Sequence, residues 1–367
     1  MSNIIIQNFI KKIEGYKMAD DLISIEKVLN SRCSSDFDIG LKKGHWGTFI
    51  NRKPKKDIIN SLFRYCKIPR FSSGKLLHWF GNGYLFLGFE KTKEPQVERI
   101  LHIESGLQQE AVHLACAAQG IGTCIHNQGV NGTKYGEKIA TARHLIMEMT
   151  DIYESGKFTT KSPGPKKSFK KGKSLCEPDR DSEIECLPQL ENLKSFAKSG
   201  SSAGKKDISQ LLWAAKGRTP HRIRMDMWNI LWGLTIPTWG GGQDYTSVFL
   251  VRNNKLFRYI NWTKNFLWLN KMFLNYAKWT RGNPTHDVQF VRNANIRAQL
   301  DDVDTAIILR RNEETGRALW EVGYMLENMF LQASGLGIYY ESKILKTEQI
   351  SQLAELGVKN AVAAMFL

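Results

Sequence analysis

The chain has 367 residues, 42% of them apolar, with 10 Trp, 18 Phe and 11 Tyr, and a net charge of +16. That content excludes an intrinsically disordered chain and suffices for one large domain or two modest ones. The six cysteines form no CxxC pair and the eight histidines show no HExxH or comparable spacing, which sets aside a disulfide scaffold and a metal site. No stretch reaches a membrane span and the N-terminal run "MSNIIIQNFIKKIEGYK" has no cleavage site, so the expectation is a cytoplasmic protein with no membrane contact.

In chain order, the first predicted element is a helix opening, "KKDIINSLFRYCK" at 55–67. An apolar β-like run, "GYLFLGFE" (83–90), comes next. "HIESGLQQEAVHLACAAQGIGTC" (102–124) then reads as a helix started at a glycine and closed by Gly120-Ile121-Gly122. Residues 156–204 are rich in Lys, Ser, Gly and Pro, and "GKFTTKSPGPKKSFKKGK" (156–173) holds seven Lys and no acid. With the acidic patch "CEPDRDSEIE" this composition suits an exposed connector.

Beyond the connector, "KKDISQLLWAAKG" (205–217) is a helix that buries one face, and it nearly repeats the opening at 55–67. "PTWGGGQDY" (237–245) is a glycine-rich stretch before a strand: an ordinary hairpin loop, or a place where backbone approaches a flat ligand closely. In "NWTKNFLWLNKMFLNYAKWT" (261–280), Trp262, Phe266, Leu269, Phe273 and Tyr276 fall on one helical stripe, with Lys264, Lys271 and Lys278 elsewhere. Core packing or a lid explains that stripe, and a single-stranded RNA surface is the sharper alternative. "DTAIILRR" (304–311) is β-like, and "LWEVGYMLENMFLQASGLGIYY" (319–340) is a helix closed by Gly335-Leu336-Gly337. The order helix, strand, helix, Gly-x-Gly thus occurs twice, with a long insertion in the second copy at roughly 220–290. Duplication of one fold explains this order, the first copy being the shorter.

The second half resembles the nitroreductase superfamily, most closely its SagB-type (azoline oxidase-like) dehydrogenase branch. That branch carries a Leu-Ser-Gln-Leu-Leu-Trp-Ala-Ala helix, then Pro-Ser-x-Gly before a strand, then a Leu-Tyr-x-Tyr turn. The matching residues here are Ile208 to Ala215, Pro237-Thr238-Trp239-Gly240, and Leu256-Phe257-Arg258-Tyr259, followed by the helix with Asn328 and the glycines at 335 and 337. The resemblance covers 190–367 well and 20–135 more weakly. It implies an α+β fold, FMN bound at a two-fold interface, and a tandem pair of nitroreductase-like domains acting as a built-in dimer. The division expected is a reduced domain at 1–155, a basic linker at 156–189 and a SagB-type domain at 190–367.

The same resemblance implies the site. The flavin phosphate would be held by an Arg-Ser-x-Arg type motif, for which "SRCSSDFD" offers Arg32, Ser34 and Ser35 and "LKSFAK" offers Lys194 and Ser195. Lys is a point charge where Arg would give a fork. Thr238, Gly240, Gly241 and Gln243 would line the ring, with Gly335 and Gly337 at the end of the later helix. Tyr259 and Tyr245 are equal candidates for proton transfer. "RFSSGKLLHWF" (70–80) is the reduced counterpart of the glycine-rich stretch. The function expected is an FMN-dependent oxidoreductase acting on a peptide-derived or small heterocyclic substrate, with the basic linker a docking segment for an acidic peptide. The alternative is a flavin-free pseudo-enzyme, a basic module binding peptide or nucleic acid.

Overall fold

The computed structural model describes residues 24–31, 49–50, 60–81, 84–90, 92–119, 121–126, 145–153, 170–171, 174–180, 182–193, 195–219, 223–225, 228–230, 233–237, 245–264, 282–293 and 303–367. In chain order these form helix α1 (Ile25–Ser31), strand β1 (Phe49–Ile50), a helical end at 60–62 with the 3-10 turn Phe63–Cys66, β2 (Leu76–Gly81) and β3 (Tyr84–Phe89). Then come the long helix α2 (Pro95–Ala118), β4 (Ile121–His126), β5 (Leu145–Tyr153), β6 (Lys170–Lys171), α3 (Cys186–Asn192), β7 (Ala197–Lys198) and α4 (Lys205–Lys216). The short strands β8 (Arg218–Thr219), β9 (Ile223–Met225), β10 (Trp228–Ile230) and β11 (Gly233–Leu234) lead to β12 (Thr246–Arg252), β13 (Lys255–Lys264), β14 (Gly282–Asn293) and β15 (Thr305–Arg311). The chain closes with α5 (Gly316–Leu336), β16 (Tyr340–Ile344), α6 (Thr347–Glu355) and β17 (Ala361–Phe366).

Beside the two-stranded pairs β9–β10 and β8–β11, two larger sheets result among the described residues, and they share one pairing order. In the first, β2 pairs β3, β3 pairs β5 and β5 pairs β4, all antiparallel. In the second, β12 pairs β15, β15 pairs β17 and β17 pairs β16, again all antiparallel. Each four-strand set wraps one long helix, α2 or α5, placed between its second strand and the next. The second sheet is extended at one edge by β13, β14 and β6 and at the other by β7. β12 and β13 are joined by Asn253-Asn254, with φ of 51° and 57°, the left-handed pair that a two-residue type I′ hairpin requires.

The second sheet is apolar on both faces, which explains its unbroken apolar runs. Val248, Leu250, Ile307, Leu309, Ala363 and Met365 enter the main core, which also takes in Leu62, Leu107, Val112, Trp213, Tyr324 and Phe330 from both halves of the chain. Their neighbours Phe249, Val251, Ala306, Ile308, Ala364 and Phe366 point the other way, into a smaller core with Leu345, Leu353 and Val358 beneath α6.

The two long helices cross in direct backbone contact. A methyl group on Gly106 would collide with the Trp320 carbonyl, and one on Gly323 with the Ile103 carbonyl. The contact is reciprocal: each glycine meets the residue three before the other, as two-fold related helices do. It also sets a register in which Glu104, Gly106, Glu110 and Leu114 recur as Glu321, Gly323, Glu327 and Leu331.

Several expectations are corrected. The helix expected to start near Gly106 begins at Pro95, where a missing N–H costs nothing, and Gly106 is its contact point. Residues 256–259 are not a turn but the start of β13, and 261–264 belong to that strand, not to a helical stripe; 265–281 lie outside the described residues. The latter part of the expected exposed connector is packed: Leu175, Pro178, Cys186, Leu190 and Leu193 are buried, and β6 adds a parallel edge strand to β14. No helix among the described residues is long and apolar enough to cross a membrane.

Candidate functional site

The last turn of α4 is where the second half gathers its buried polar groups. Gly204 starts this helix, its N–H donating to Asp207 Oδ2 at 2.8 Å, and the helix is buried all round from Ile208 to Lys216, not on the one face expected, with Ile208, Leu211, Leu212 and Trp213 in the core. A helix C-terminus leaves carbonyls that need donors, and here those of Trp213, Ala214 and Lys216 are met. Trp213 O accepts from Gly217 N and Thr235 Oγ1, Ala214 O from Asn328 Nδ2, and Lys216 O from Asn261 Nδ2. Gly217 O accepts from Thr235 N at 3.0 Å, and Asn328 Nδ2 donates also to Thr235 O.

These bonds fix the chain at both ends of the glycine-rich stretch. Thr235 stands just before Pro237, and Thr246 just after Tyr245. Lys216 reaches the second end: its Nζ donates to Thr246 O at 2.6 Å and to Thr246 Oγ1 at 2.8 Å, and lies 4.0 Å from Glu321 Oε2. Thr246 Oγ1 in turn donates to Glu321 Oε2 at 3.0 Å, and Tyr245 O accepts from Asn312 N at 2.7 Å. Lys216 and Glu321 are 3% and 0% exposed, so a cation and a carboxylate meet out of water on the two helices that flank the stretch. Asn328 Oδ1 is buried with no hydrogen-bond partner among the described residues.

A second buried chain runs through β13 and β14. Tyr259 OH and His286 Nδ1 are 2.8 Å apart, as are His286 Nε2 and Ser209 Oγ. Ser209 Oγ donates to Cys176 O at 2.7 Å, so its proton is committed. His286 Nε2–H must then donate to Ser209, leaving Nδ1 to accept from Tyr259. Burial, opposed by Asp287 and aided by Arg180, pushes the His286 pKa down to about 4, which keeps the ring neutral. Burial also pushes the Tyr259 phenol well above its ordinary range. This chain ties segment 174–180 to the sheet; it is not a nucleophile and its base, because the serine proton points away from the histidine.

The first half treats the counterpart stretch differently. Glu104, fully buried on α2, accepts from Phe71 N at 2.5 Å, Ser72 N at 2.8 Å, Ser72 Oγ at 2.9 Å and Arg70 Nη2 at 2.7 Å. Donors that could face a ligand are therefore occupied by the protein's own carboxylate. Phe71 also stacks on Phe196 from the second half, with ring centroids 3.6 Å apart and planes 6° apart.

Of the site residues expected from the sequence, Arg32, Ser34, Ser35, Lys194, Thr238, Gly240, Gly241 and Gln243 lie outside the described residues. Ser195 is in a local turn, its hydroxyl accepting from Ala197 N and donating to Ala197 O. Gly335 packs against Ile184 and Ile25, and Gly337 caps α5 at φ 65° with Ile338 N donating to Ala333 O. Tyr245 and Tyr259 are both buried, at 5% and 7% exposure, and belong to different hydrogen-bond networks. Sequence reasoning missed Lys216, Thr246 and Glu104 as site residues. The available signal was a Lys ending an apolar helix face in "LLWAAK", where a solvated residue is the usual occupant. Among the described residues no group of three or more His, Cys, Asp or Glu is placed to hold a metal ion.

No family model matches this chain, and no curated protein matches it. Among solved structures it is similar to a candidate nitroreductase from Ralstonia eutropha JMP134, at 20% identity and a TM-score of 0.36, over 53% of this chain and 86% of that one. It is also similar to one from Thermotoga maritima MSB8, at 11% identity and a TM-score of 0.38, over 94% of each chain. A third, from Anabaena variabilis ATCC 29413, aligns at 10% identity and a TM-score of 0.45, over 77% of this chain and 68% of that one. Likenesses at this level identify no reaction for this chain.

Proposed function

We propose that the chain is an FMN-dependent oxidoreductase of nitroreductase-like, SagB-type architecture, built as a tandem duplication with one flavin site, in the second half. The observation that carries this reading is the fastening of both ends of the glycine-rich stretch to the C-terminus of α4 and to α5. A hairpin that merely connects strands needs no buried cation, carboxylate and amide at its ends. The shared pairing order of the two sheets and the reciprocal glycine contact support the duplication.

The residues present suit the group. Among the described residues Asn328 Oδ1 is a buried acceptor that meets no donor, and an isoalloxazine ring carries one N–H that needs such an acceptor. Thr238, Gly240, Gly241 and Gln243 would meet the ring, and either Arg32, Ser34 and Ser35 or else Lys194 would meet the phosphate. Bound FMN supplies a hydride acceptor. The protein's part is to hold and dehydrate the ring and to provide a proton-transfer group. Tyr259 already gives its hydroxyl to His286, which leaves Tyr245, at the edge of the stretch, as that candidate. The substrate class is a peptide-derived or small heterocycle, and the seven lysines of 156–173 carry a charge that would attract an acidic peptide.

A flavin-free binding module is the second reading. Two features favour it: Glu104 fills the first-half donors, and the phosphate motifs lack their second arginine. Titrating the purified full chain with FMN, followed by flavin fluorescence, separates the two. One equivalent bound per chain, abolished in Gly241→Val while the flavin-free thermal midpoint is kept, is the expected result. Two equivalents would restore a first-half site, and no binding would establish the module.

A further inference from the structure

β14 lies at one edge of the second sheet, covered on its outer side only by the two residues of β6 among the described residues. β6 runs parallel to it and pairs at Thr285 and His286. The chain then leaves the edge: Ser174 N donates to Asp287 Oδ1, and Cys176 O accepts from Ser209 Oγ on α4. From Val288 to Asn293 the described residues supply β14 with one neighbour, β13. A strand edge of this kind is a template for one more strand.

The side chains along it suit a partner. Leu256 pairs Arg292 and Phe257 pairs Phe290, which leaves Val291 as the extra residue of a bulge. The bulge sets Val291 beside Phe290, and the two are 42% and 52% exposed. Phe290 also meets Phe257 edge to face, with ring centroids 6.0 Å apart. Charge alone keeps an edge from sticking, whereas an exposed phenylalanine and valine side by side do the reverse. The charge around them has one sign. Residues 252–260 and 288–293 hold Arg252, Lys255, Arg258 and Arg292 and no acid. Lys255, Arg258 and Arg292 are exposed, and Arg292 Nη1 donates to the Glu355 carbonyl at 3.4 Å.

We propose that the edge of β14 from Val288 to Asn293 binds an extended acidic peptide as an added strand. Its backbone would continue the ladder that β6 begins, its apolar side chains would meet Phe290 and Val291, and its carboxylates would meet Arg292, Arg258 and Lys255. A second copy of the chain suits the edge less well, because it sets these cations against their own kind in a molecule of charge +16. Single-stranded nucleic acid answers the charge but brings no N–H and C=O ladder to the edge. The proposal is independent of the flavin reading, and its test uses the flavin-free full chain.

The probe is a fluorescein-labelled peptide of about eight alternating Glu and Val residues, long enough for one strand, followed by anisotropy. Phe290→Ser with Val291→Ser removes the exposed apolar pair, and Arg258→Ser with Arg292→Ser removes two of the cations. All four side chains are exposed, so the thermal midpoint should move little. Affinity should fall about tenfold in each double variant. Bound peptide should also slow amide exchange of the parent protein about tenfold at 288–293, with α5 unchanged, a readout that needs no variant to fold. A peptide of the same composition with its Glu and Val residues grouped should bind about tenfold more weakly, because only alternation presents one kind of side chain to each face.

Equal binding of the grouped peptide would reduce the effect to net charge and overturn the proposal. Parent-like affinity in both variants would move the peptide to another part of the chain, and unprotected amides at 288–293 would do the same. Protection of those amides in concentrated peptide-free protein, lost on dilution, would give the edge to a second copy instead. Oligothymidylate that binds more tightly than the peptide and is weakened by the same variants would give it to nucleic acid.

Discussion

Glu327 is buried on α5, and desolvation, then the Glu110 carboxylate on α2, raises its pKa well above the ordinary carboxylate range. Among the described residues Cys186 on α3, Glu26 on α1, His113 on α2 and Tyr340 on β16 are titratable groups near the pair. The folded chain keeps the Glu327 proton to higher pH than the unfolded chain does. Stability is thus greatest below the unfolded carboxylate value and is lost as pH rises towards the folded one. Glu327→Gln should be the more stable protein, with a margin that widens above about pH 5 by at most about 1.4 kcal/mol per pH unit. Urea melts at several pH values would show this, and parallel pH profiles for the two proteins would refute it. The two tyrosines divide similarly. Tyr259→Phe should lose about 1 kcal/mol of stability and little turnover, since it removes one buried hydrogen bond. Tyr245→Phe should lower turnover by about 100-fold or more if its hydroxyl transfers the proton. Steady-state rates and melts on the same preparations compare them.

The α2–α5 crossing depends on two absent side chains. Nothing but glycine fits at Gly106 or Gly323, because the opposing atoms are backbone and cannot rotate away. Gly106→Ala and Gly323→Ala should each cost roughly 1–3 kcal/mol by forcing the helices apart. The double variant should cost less than the sum, since one separation relieves both clashes. Chemical denaturation of the three variants tests this, and strict additivity would mean that the contacts are independent. Glu104→Ala strands the N–H groups of Phe71 and Ser72 and takes the partner from Arg70, so a loss of about 3 kcal/mol is expected from the same melts.

The main core is continuous across the two halves: Leu107, Val112 and Leu114 of α2 share it with Trp213 of α4 and Tyr324 and Phe330 of α5. Polar contacts cross the same boundary, such as Tyr324 OH donating to Gln109 Oε1 at 2.5 Å and Gln332 Nε2 to Glu26 Oε1 at 2.6 Å. Two halves that bury one core should unfold together, so calorimetry should find a single cooperative transition despite the pairing order that the two sheets share. Two resolved transitions would show that the halves are independent domains.

Local pattern was enough to locate some of the regular elements. The runs at 83–90 and 304–311 and the helix at 205–217 occupy the positions read from the sequence, because burial of a face writes a period into it. The glycines of the long helices were visible too, but their meaning was not. A glycine after an acid resembles a helix start, and only the approach of a second helix, over 200 residues away in the chain, makes Gly106 a contact point. The strand at 255–264 was misread at its far end for a related reason: Trp262 was counted into a helical stripe with residues beyond the strand, whereas pairing with β14 makes 261–264 extended. The site divides along the same line. Residue types suited to a flavin could be named from a motif, since a motif is a property of neighbours in sequence. That Lys216 is a buried cation and not a solvated helix end was decided by the tertiary structure alone. Its partners Thr246 and Glu321 come from a strand and a helix that the chain brings together only on folding, and a charge is tolerated out of water only where such partners converge.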